Sequence, residues 1–390
     1  MIVRQFLQWV RIAPAGERAE ASGALARAYL YSSLSKDDRA AAEGAMLILL
    51  DDPCPLVRRA LADVLGASPS APPALIYALA DDQPQIAAPV LALSPLFVDA
   101  DLVDAVATGS ALVQTAIASR APLPRSVAAA IAEVGTAEAC LVLLENDEAE
   151  IAAFSLDRVA ERFGNLAAIR EPLLAREDLA ATTRQTLVAK LSQTLAGFVA
   201  AREWLKTDQA QRVAREACEK VTIALVTQSP DGEVGPLIRH LRESGQLTAG
   251  LILRALLCGN TVLFEQALAE LADMPVERVC GLVDGGGLAA LRALFEKAGL
   301  PDSTYPAFKE AIMAMREGVC AGEPGNAASL KRRMIERVLT RCENAEFGEL
   351  APLITLLHRF ATEAAREEAR LFCDQLLADD LDLARQPQAA

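Results

Sequence analysis

The feature that most constrains the fold is a segment that recurs, in weakened form, along the first half of the chain. Residues 49–66 read LLDDPCPLVRRALADVLG, and echoes of this segment follow at residues 79–91 and 144–156. Self-similarity at a spacing of about thirty residues indicates stacked pairs of helices, because one such pair is too small to bury its own apolar face. The sequence therefore predicts an all-α fold, a solenoid of stacked antiparallel helix pairs.

Composition supports the same fold class. Apolar residues make up 52% of the chain but aromatic residues only 4%, and alanine and leucine are frequent. Both are strong helix formers and weak strand formers. The repeat spacing fades near residue 200, which predicts a repeat region at 1–200 and a more irregular helical region at 201–390. Phe6 and Trp9 lie on a short helix predicted from Ile2 to Ile12, which we expect to cap the open end of the stack.

The first full segment carries a recognisable motif. Its paired aspartates, the VRRAL stretch and the closing LG in residues 50–66 resemble the HEAT repeat and the related repeats of phycobilisome-lyase type. In those repeats an aspartate lies at the turn and an arginine of the next helix bonds to a neighbouring turn. The resemblance implies these structural roles for Asp52 and Arg58. The echoes have Ala88 and Ala153 in place of the arginine, so we expect an interrupted ladder.

Short stretches of the second half carry another resemblance. They are residues 245–248, 253–256, 264–271, 276–279, 286–288, 291–294 and 298–301. With these stretches the chain resembles a family of bacterial proteins of unknown function. This resemblance implies a HEAT-like helical body and brings no activity with it.

Charge and cysteine content restrict the partners and the compartment. The chain has 390 residues, 38 basic and 52 acidic side chains, and a formal net charge of −14. Such a field repels phosphate backbones and anionic lipid surfaces, which argues against nucleic acid and membrane partners. No uncharged apolar run reaches the roughly 18 residues of a membrane span, and no signal peptide is recognisable. The eight cysteines form no Cys-x-x-Cys pair, so we expect a reduced, cytoplasmic protein.

The residues needed for catalysis are sparse. The two histidines, His240 and His358, fall on predicted helices without an adjacent nucleophile, and no Gly-x-Ser-x-Gly motif occurs. Gly285–Gly287 lacks the Lys-Ser/Thr ending of a phosphate-binding loop and is better explained as a helix break. Spaced cysteine or histidine pairs for a metal are absent. We therefore expect no catalytic residues, no metal and no cofactor.

One candidate binding surface comes from an unusual distribution of charge. No lysine or arginine occurs between Arg59 and Arg120, whereas six aspartates do. An acidic and apolar surface of this kind suits a cationic or amphipathic protein partner, or a homodimer contact. The alternative is ordinary core with a few solvated aspartates. The candidate residues are Asp81, Asp82, Asp101 and Asp104.

A second candidate is a stripe of basic residues. Arg333, Arg337 and Arg341 recur every four residues, beside Lys331 and Arg332. On one helix these side chains would share a face and could grip an anionic small molecule or an acidic partner. The alternative is a solvated face or pairing with nearby acids.

Taken together, the patterns favour a non-enzymatic helical-repeat scaffold or adaptor that binds a protein partner, in bacterial signalling. One alternative is a sensing module that binds an anionic small molecule such as a nucleotide at the arginine stripe. The other is an enzyme, such as a lyase of the repeat type.

Overall fold

The structure is a computed structural model that describes residues 6, 8–317, 327–343 and 351–385. The described residues form helices and loops and contain no β-strand; an isolated bridge joins Leu123 to Ala149. This confirms the predicted all-α class. The chain divides into two compact units, Met1–Thr194 and Leu195–Ala390, close to the predicted boundary after residue 200. Ile2, where the capping helix was predicted to begin, lies outside the described residues.

The N-terminal unit, unit 1, consists of helices of 8 to 21 residues, and the last of them, α12, begins in unit 1 and continues past Thr194. In chain order they are α1 (Ala15–Tyr31), α2 (Lys36–Leu49), α3 (Pro55–Leu65), α4 (Pro73–Ala80), α5 (Pro84–Leu93), α6 (Asp99–Thr108), α7 (Ala111–Ala118), α8 (Arg125–Val134), α9 (Ala137–Glu145), α10 (Ala153–Phe163), α11 (Ala167–Ala175) and α12 (Ala181–Ala201).

Local sequence explains where several of these helices begin. Proline occupies the first position of α3, α4 and α5, where its missing N–H costs nothing because that donor has no helical partner. Elsewhere a side chain caps the first turn. Ser35 accepts the N–H of Asp38 ahead of α2, and Thr136 accepts the N–H of Ala139 ahead of α9.

The helices of unit 1 alternate between two rows. In the odd row, α1 packs on α3, α3 on α5, α5 on α7, α7 on α9 and α9 on α11. In the even row, α6 packs on α8 and α8 on α10. The odd-numbered helices from α1 to α11 and the even-numbered helices α6, α8 and α10 therefore contact their counterparts in the next pair, which confirms the predicted stack of helix pairs.

The core of unit 1 runs between the two rows. Leucines from both rows, such as Leu49, Leu61, Leu75 and Leu143, are at most 1% exposed and belong to one continuous apolar cluster. No pair has a core of its own, as expected for repeats that depend on their neighbours.

The C-terminal unit, unit 2, contains helices of more varied length. They are α13 (Thr207–Gln228), α14 (Asp231–Glu243), α15 (Ala249–Leu257), α16 (Thr261–Ala272), α17 (Val276–Gly285), α18 (Leu288–Lys297), α19 (Tyr305–Arg316), α20 (Ala327–Glu343) and α21 (Ala351–Arg385), with a 3₁₀ turn at Asp302–Thr304.

Unit 2 is organised around α15 rather than in two regular rows. This helix packs against α13, α16, α19 and α20, and every residue from Leu251 to Leu257 is buried. Beside it, Phe308 stacks on Phe264 with ring centroids 6.1 Å apart and packs at a tilt against Phe295 with centroids 4.9 Å apart. The more irregular C-terminal half is therefore as predicted.

Capping residues define the boundaries of α15 and α16. Thr248 accepts the N–H of Leu251, and Asn260 accepts the N–H of Leu263. Gly259 between the two helices has φ +76°, in the left-handed region that glycine enters without steric cost. Among the described helices, none combines the length and apolar character that crossing a bilayer requires.

The two-row arrangement predicts very different costs for two leucines of the same helix. Leu61 is 0% exposed and Leu56 is 62% exposed, both on α3. Leu61→Ala should lower the free energy of unfolding by about 2–5 kcal/mol, because a cavity remains between the rows. Leu56→Ala, the matched control, should stay within about 0.5 kcal/mol. Urea denaturation followed by circular dichroism measures both; equal costs would contradict the assignment of buried and exposed faces.

Candidate functional site

Three of the four predicted acidic residues lie on or directly beside α4 and α6. Asp81 directly follows α4, whereas Asp101 and Asp104 lie on α6. Asp81 and Asp104 are exposed, and Asp101 is half-buried. Residues three or four positions apart share a helix face. Tyr77 and Asp81 therefore share a face of α4, as Asp101 and Asp104 share one of α6.

A surface hydrogen bond joins these two helices. The Tyr77 hydroxyl donates to Asp101 Oδ2 at 2.9 Å, and the backbone N–H of Val98 donates to the same oxygen at 3.1 Å. The hydrogen bond to Asp101 raises the pKa of Tyr77 above its ordinary value. The Tyr77 ring also packs edge-on against Phe97, with centroids 5.4 Å apart. Tyr77 is thus held in place although 42% of its surface is exposed.

Tyr77, Asp81, Val98, Asp101 and Asp104 are called the Tyr77 patch below. The two arginines that bound the cation-free stretch are engaged elsewhere. Arg59 pairs with Asp63 one turn along α3, at 2.6 Å. Arg120 donates to the carbonyl oxygens of Leu91 at 2.5 Å and Ser94 at 2.9 Å. Among the described residues, no basic side chain pairs with the carboxylates of the patch.

Asp82, the fourth predicted acidic residue, is bound within the chain. Arg58 donates from Nε to Asp82 Oδ2 at 2.5 Å and from Nη2 to Oδ1 at 2.9 Å. Burial acts to raise the pKa of Asp82, but the hydrogen bonds from Arg58 and from the N–H of Gln83 outweigh it, and the pKa lies below its ordinary value. Arg58 also donates to the carbonyl oxygen of Asp52 at 2.6 Å. Arg58 therefore joins two successive turns.

Asp52 has a partner that sequence reasoning missed. Arg18 of α1 donates from Nε and Nη2 to the two carboxylate oxygens of Asp52, each at 2.8 Å. The N–H of Cys54 donates to Asp52 Oδ1 at 2.8 Å. These bonds, that from Arg18 foremost, hold the pKa of Asp52 below its ordinary value. Arg18 precedes the first repeat segment, so the repeat pattern gave no reason to select it.

Later layers use arginine in a different way. Arg162 of α10 donates to the carbonyl oxygens of Ala132 and Gly135 at the end of α8, both at 2.7 Å. Arg120 does the same at the end of α5. Asn146 donates to the carbonyl oxygen of Ala118 at 2.8 Å. In these layers the side chains bond to carbonyl oxygens at helix ends, which lack a partner within the helix.

The arginine stripe lies on α20 and faces acidic residues of its own unit. Arg341 pairs with Glu310 of α19 at 2.7 Å, and Arg337 pairs with Glu317. Arg332 pairs with Glu336 one turn along α20. The stripe is therefore engaged within the chain. The predicted anion site at Arg333, Arg337 and Arg341 gains no support from this geometry.

The residues considered for catalysis are dispersed. His240 lies on α14 and His358 on α21. Within the described residues, no three histidine, cysteine, aspartate or glutamate side chains form a group that could hold a metal ion. Gly286 and Gly287 separate α17 from α18, in the helix-breaking role predicted for them.

Fold and site together define an all-α protein of stacked helices with an acidic and apolar surface patch. Residues 86–348 match the model of a family described as an uncharacterised protein conserved in bacteria (DUF2336), and the chain belongs to that family. The predicted resemblance to a bacterial family of unknown function is thereby confirmed. Comparisons with curated proteins and with solved structures gave no match.

The pairing of Arg18 with Asp52 predicts a stability effect with a neighbouring control. The Asp52 side chain is 6% exposed, whereas Asp51 is exposed. Asp52→Asn should lower the free energy of unfolding by about 1–2 kcal/mol, since the partly buried guanidinium of Arg18 loses its ionised partner. Asp51→Asn should cost less than about 0.5 kcal/mol. Denaturant unfolding at pH 7 measures both; if the two variants unfold alike, the pair is not a stabilising contact.

The same pair predicts how the cost depends on pH. The folded pKa of Asp52 is lowered, so the ionised carboxylate stabilises the fold above the unfolded pKa of about 3.9. This contribution is lost as the pH falls through the folded pKa. The stability difference between wild type and Asp52→Asn should therefore be constant from pH 7 to about pH 5 and shrink below pH 4. A difference that grows on acidification would contradict the assignment.

Proposed function

We propose that this protein is a non-enzymatic scaffold or adaptor of HEAT-like repeats that binds a protein partner through the Tyr77 patch. One observation carries the proposal: the patch combines exposed apolar surface with three carboxylates to which no described basic side chain is paired. Tyr77 is 42% exposed and Val98 61%. Apolar surface rimmed by charge is typical of protein interaction sites.

The apolar and acidic side chains of the patch indicate what kind of partner can bind there. An amphipathic segment can cover Tyr77 and Val98 with its apolar face and place lysine or arginine near Asp81, Asp101 and Asp104. Charge complementarity of this kind speeds association and excludes acidic partners. Because Asp101 and Phe97 already hold Tyr77, binding loses little side-chain freedom at this position. A second copy of the chain is a less suitable partner, since the net charge of −14 makes two copies repel.

Two further observations support the finer parts of the proposal. Arg58 joins successive turns through Asp82 and the carbonyl oxygen of Asp52, which is the bonding that the HEAT-like motif implies. Six cysteines, Cys54, Cys140, Cys218, Cys258, Cys280 and Cys373, are free thiols. Free thiols are typical of a reducing compartment, so we propose a cytoplasmic location in the bacterium, with a role in signalling.

The test uses charge reversal on the patch and a matched reversal elsewhere in unit 1. Asp81→Lys/Asp104→Lys changes two exposed carboxylates of the patch, whereas Glu145→Lys/Asp147→Lys changes two exposed carboxylates outside it. A partner retained by the wild-type chain from lysate of its own bacterium is purified, and its binding is measured by calorimetry. The patch variant should bind at least about tenfold more weakly, a loss of about 1.4 kcal/mol. The control should bind as the wild type does.

Two results would overturn the proposal. Equal affinity of the partner for all three proteins would show that the patch does not contribute to binding. Turnover of a substrate by the purified chain, together with failure to retain any stoichiometric partner, would replace the scaffold with an enzyme.

A further inference from the structure

A large cleft lies within unit 2, apart from the Tyr77 patch. Its walls come from α13, α20 and α21, with Arg254 of α15 and the adjoining Cys258 also in the lining, and its volume is about 1130 Å³. This is at the upper end of, or just beyond, the range of about 300–1,000 Å³ found for ligand sites. Such a cleft can hold a molecule the size of a nucleotide.

The charge of the lining is opposite to that of the chain. Six basic and four acidic side chains line the cleft, although the whole chain has a net charge of −14. A local excess of positive charge in an acidic protein concentrates anions at that point. The basic residues are Lys220, Arg254, Lys331, Arg359, Arg366 and Arg370.

Arg254 is the buried member of this group. The residue is 3% exposed, and its guanidinium lies 4.1 Å from the ring centroid of Phe360. Its Nη1 donates to both oxygens of Glu363, at 2.9 and 2.8 Å, and its Nε donates to Glu219 at 3.2 Å. Its Nη2 has no hydrogen-bond partner among the described residues. Glu219 and Glu363 balance the charge of Arg254, which keeps one unused N–H donor group.

Most carboxylates of the cleft form ion pairs with basic side chains other than Arg366 and Arg370. Glu363 is shared, because Lys220 pairs with it at 2.9 Å in addition to Arg254. Lys331 pairs with Glu367 at 2.7 Å. Arg359 forms an ion pair with Glu216.

Two cations of the lining remain available. Arg366 and Arg370 lie one turn apart on α21 and are exposed. Within the described part of the chain, neither has an ion-pair or hydrogen-bond partner. Guanidinium groups bind phosphate oxygens through paired N–H donors, so two of them on adjacent turns can hold one phosphate or two linked phosphates.

The rest of the cleft suits the body of such a ligand. Ile223 and Ala224 of α13 and Leu371 of α21 contribute apolar surface to the lining. An aromatic base can pack on these side chains while its phosphates reach the arginines. Asp374, one turn beyond Arg370, would repel a second negative group placed further along α21.

We propose that the cleft binds a nucleotide, with its phosphates on Arg366 and Arg370 and its base against Ile223 and Leu371. This site is distinct from the arginine stripe, in which Arg337 pairs with Glu317 and Arg341 with Glu310. It is also independent of the protein-binding function proposed for unit 1.

The test measures binding of ATP, AMP and inorganic phosphate to the full chain by calorimetry. ATP should bind more tightly than AMP, and phosphate should compete with both, because the arginines recognise phosphate. Arg366→Gln/Arg370→Gln should raise the dissociation constant for ATP at least tenfold. Arg278→Gln removes an exposed arginine of α17 outside the cleft and should leave binding unchanged. Both variants should keep the melting temperature of the wild type, since the substituted side chains are exposed.

A polyglutamate peptide serves as the last probe. Binding of this peptide in the absence of nucleotide binding would overturn the ligand class, and an acidic protein segment would take its place. Absence of binding by every probe would overturn the site. Nucleotide binding that the double variant leaves unchanged would overturn the assignment of Arg366 and Arg370.

Discussion

The structure of unit 1 depends on one constraint: each short helix can hide its apolar side only against helices of the neighbouring pairs. The helices between α3 and α11 are only 8 to 11 residues long, which is too short for stable helices in isolation. Their buried leucines meet between two rows and form one apolar cluster. The stability of each helix therefore depends on its neighbours in the stack. The exposed residues of a layer can differ without loss of this core. The Tyr77 patch lies on the surface of unit 1, where α4 and α6 are joined by a hydrogen bond.

Polar contacts at the layer junctions keep this stack in register. Arg18 and Arg58 reach from one helix to a turn more than twenty residues away and bind Asp52 and Asp82, whereas Arg162 binds carbonyl oxygens at the end of α8. A long side chain with several donors suits this task because it satisfies helix-end acceptors that would otherwise be buried without partners.

The sequence was sufficient for the fold class and for part of the ladder. The recurring segment at residues 49–66, 79–91 and 144–156 predicted the stack, and the motif implied that Arg58 bonds to a neighbouring turn. The contacts of Arg162 and Arg120 could not be predicted, because their acceptors are main-chain carbonyl oxygens, which every residue has. The stripe on α20 was visible, but Glu310 lies on another helix, so its pairing with Arg341 depends on packing. The cleft was not foreseen for the same reason: its charges come from four helices that are far apart in the chain.

The central claim is that the layers of unit 1 support one another in series, and native-state hydrogen exchange tests it most directly. Ile131 of α8 is 0% exposed. In an Ile131→Ala variant, amide protection should fall most in α8 and in the helices that contact it, α6, α7, α9 and α10, while α1 and α3 keep the protection of the wild type. A uniform fall of protection across residues 8–194 would mean that unit 1 unfolds as a single globule, and it would contradict the account.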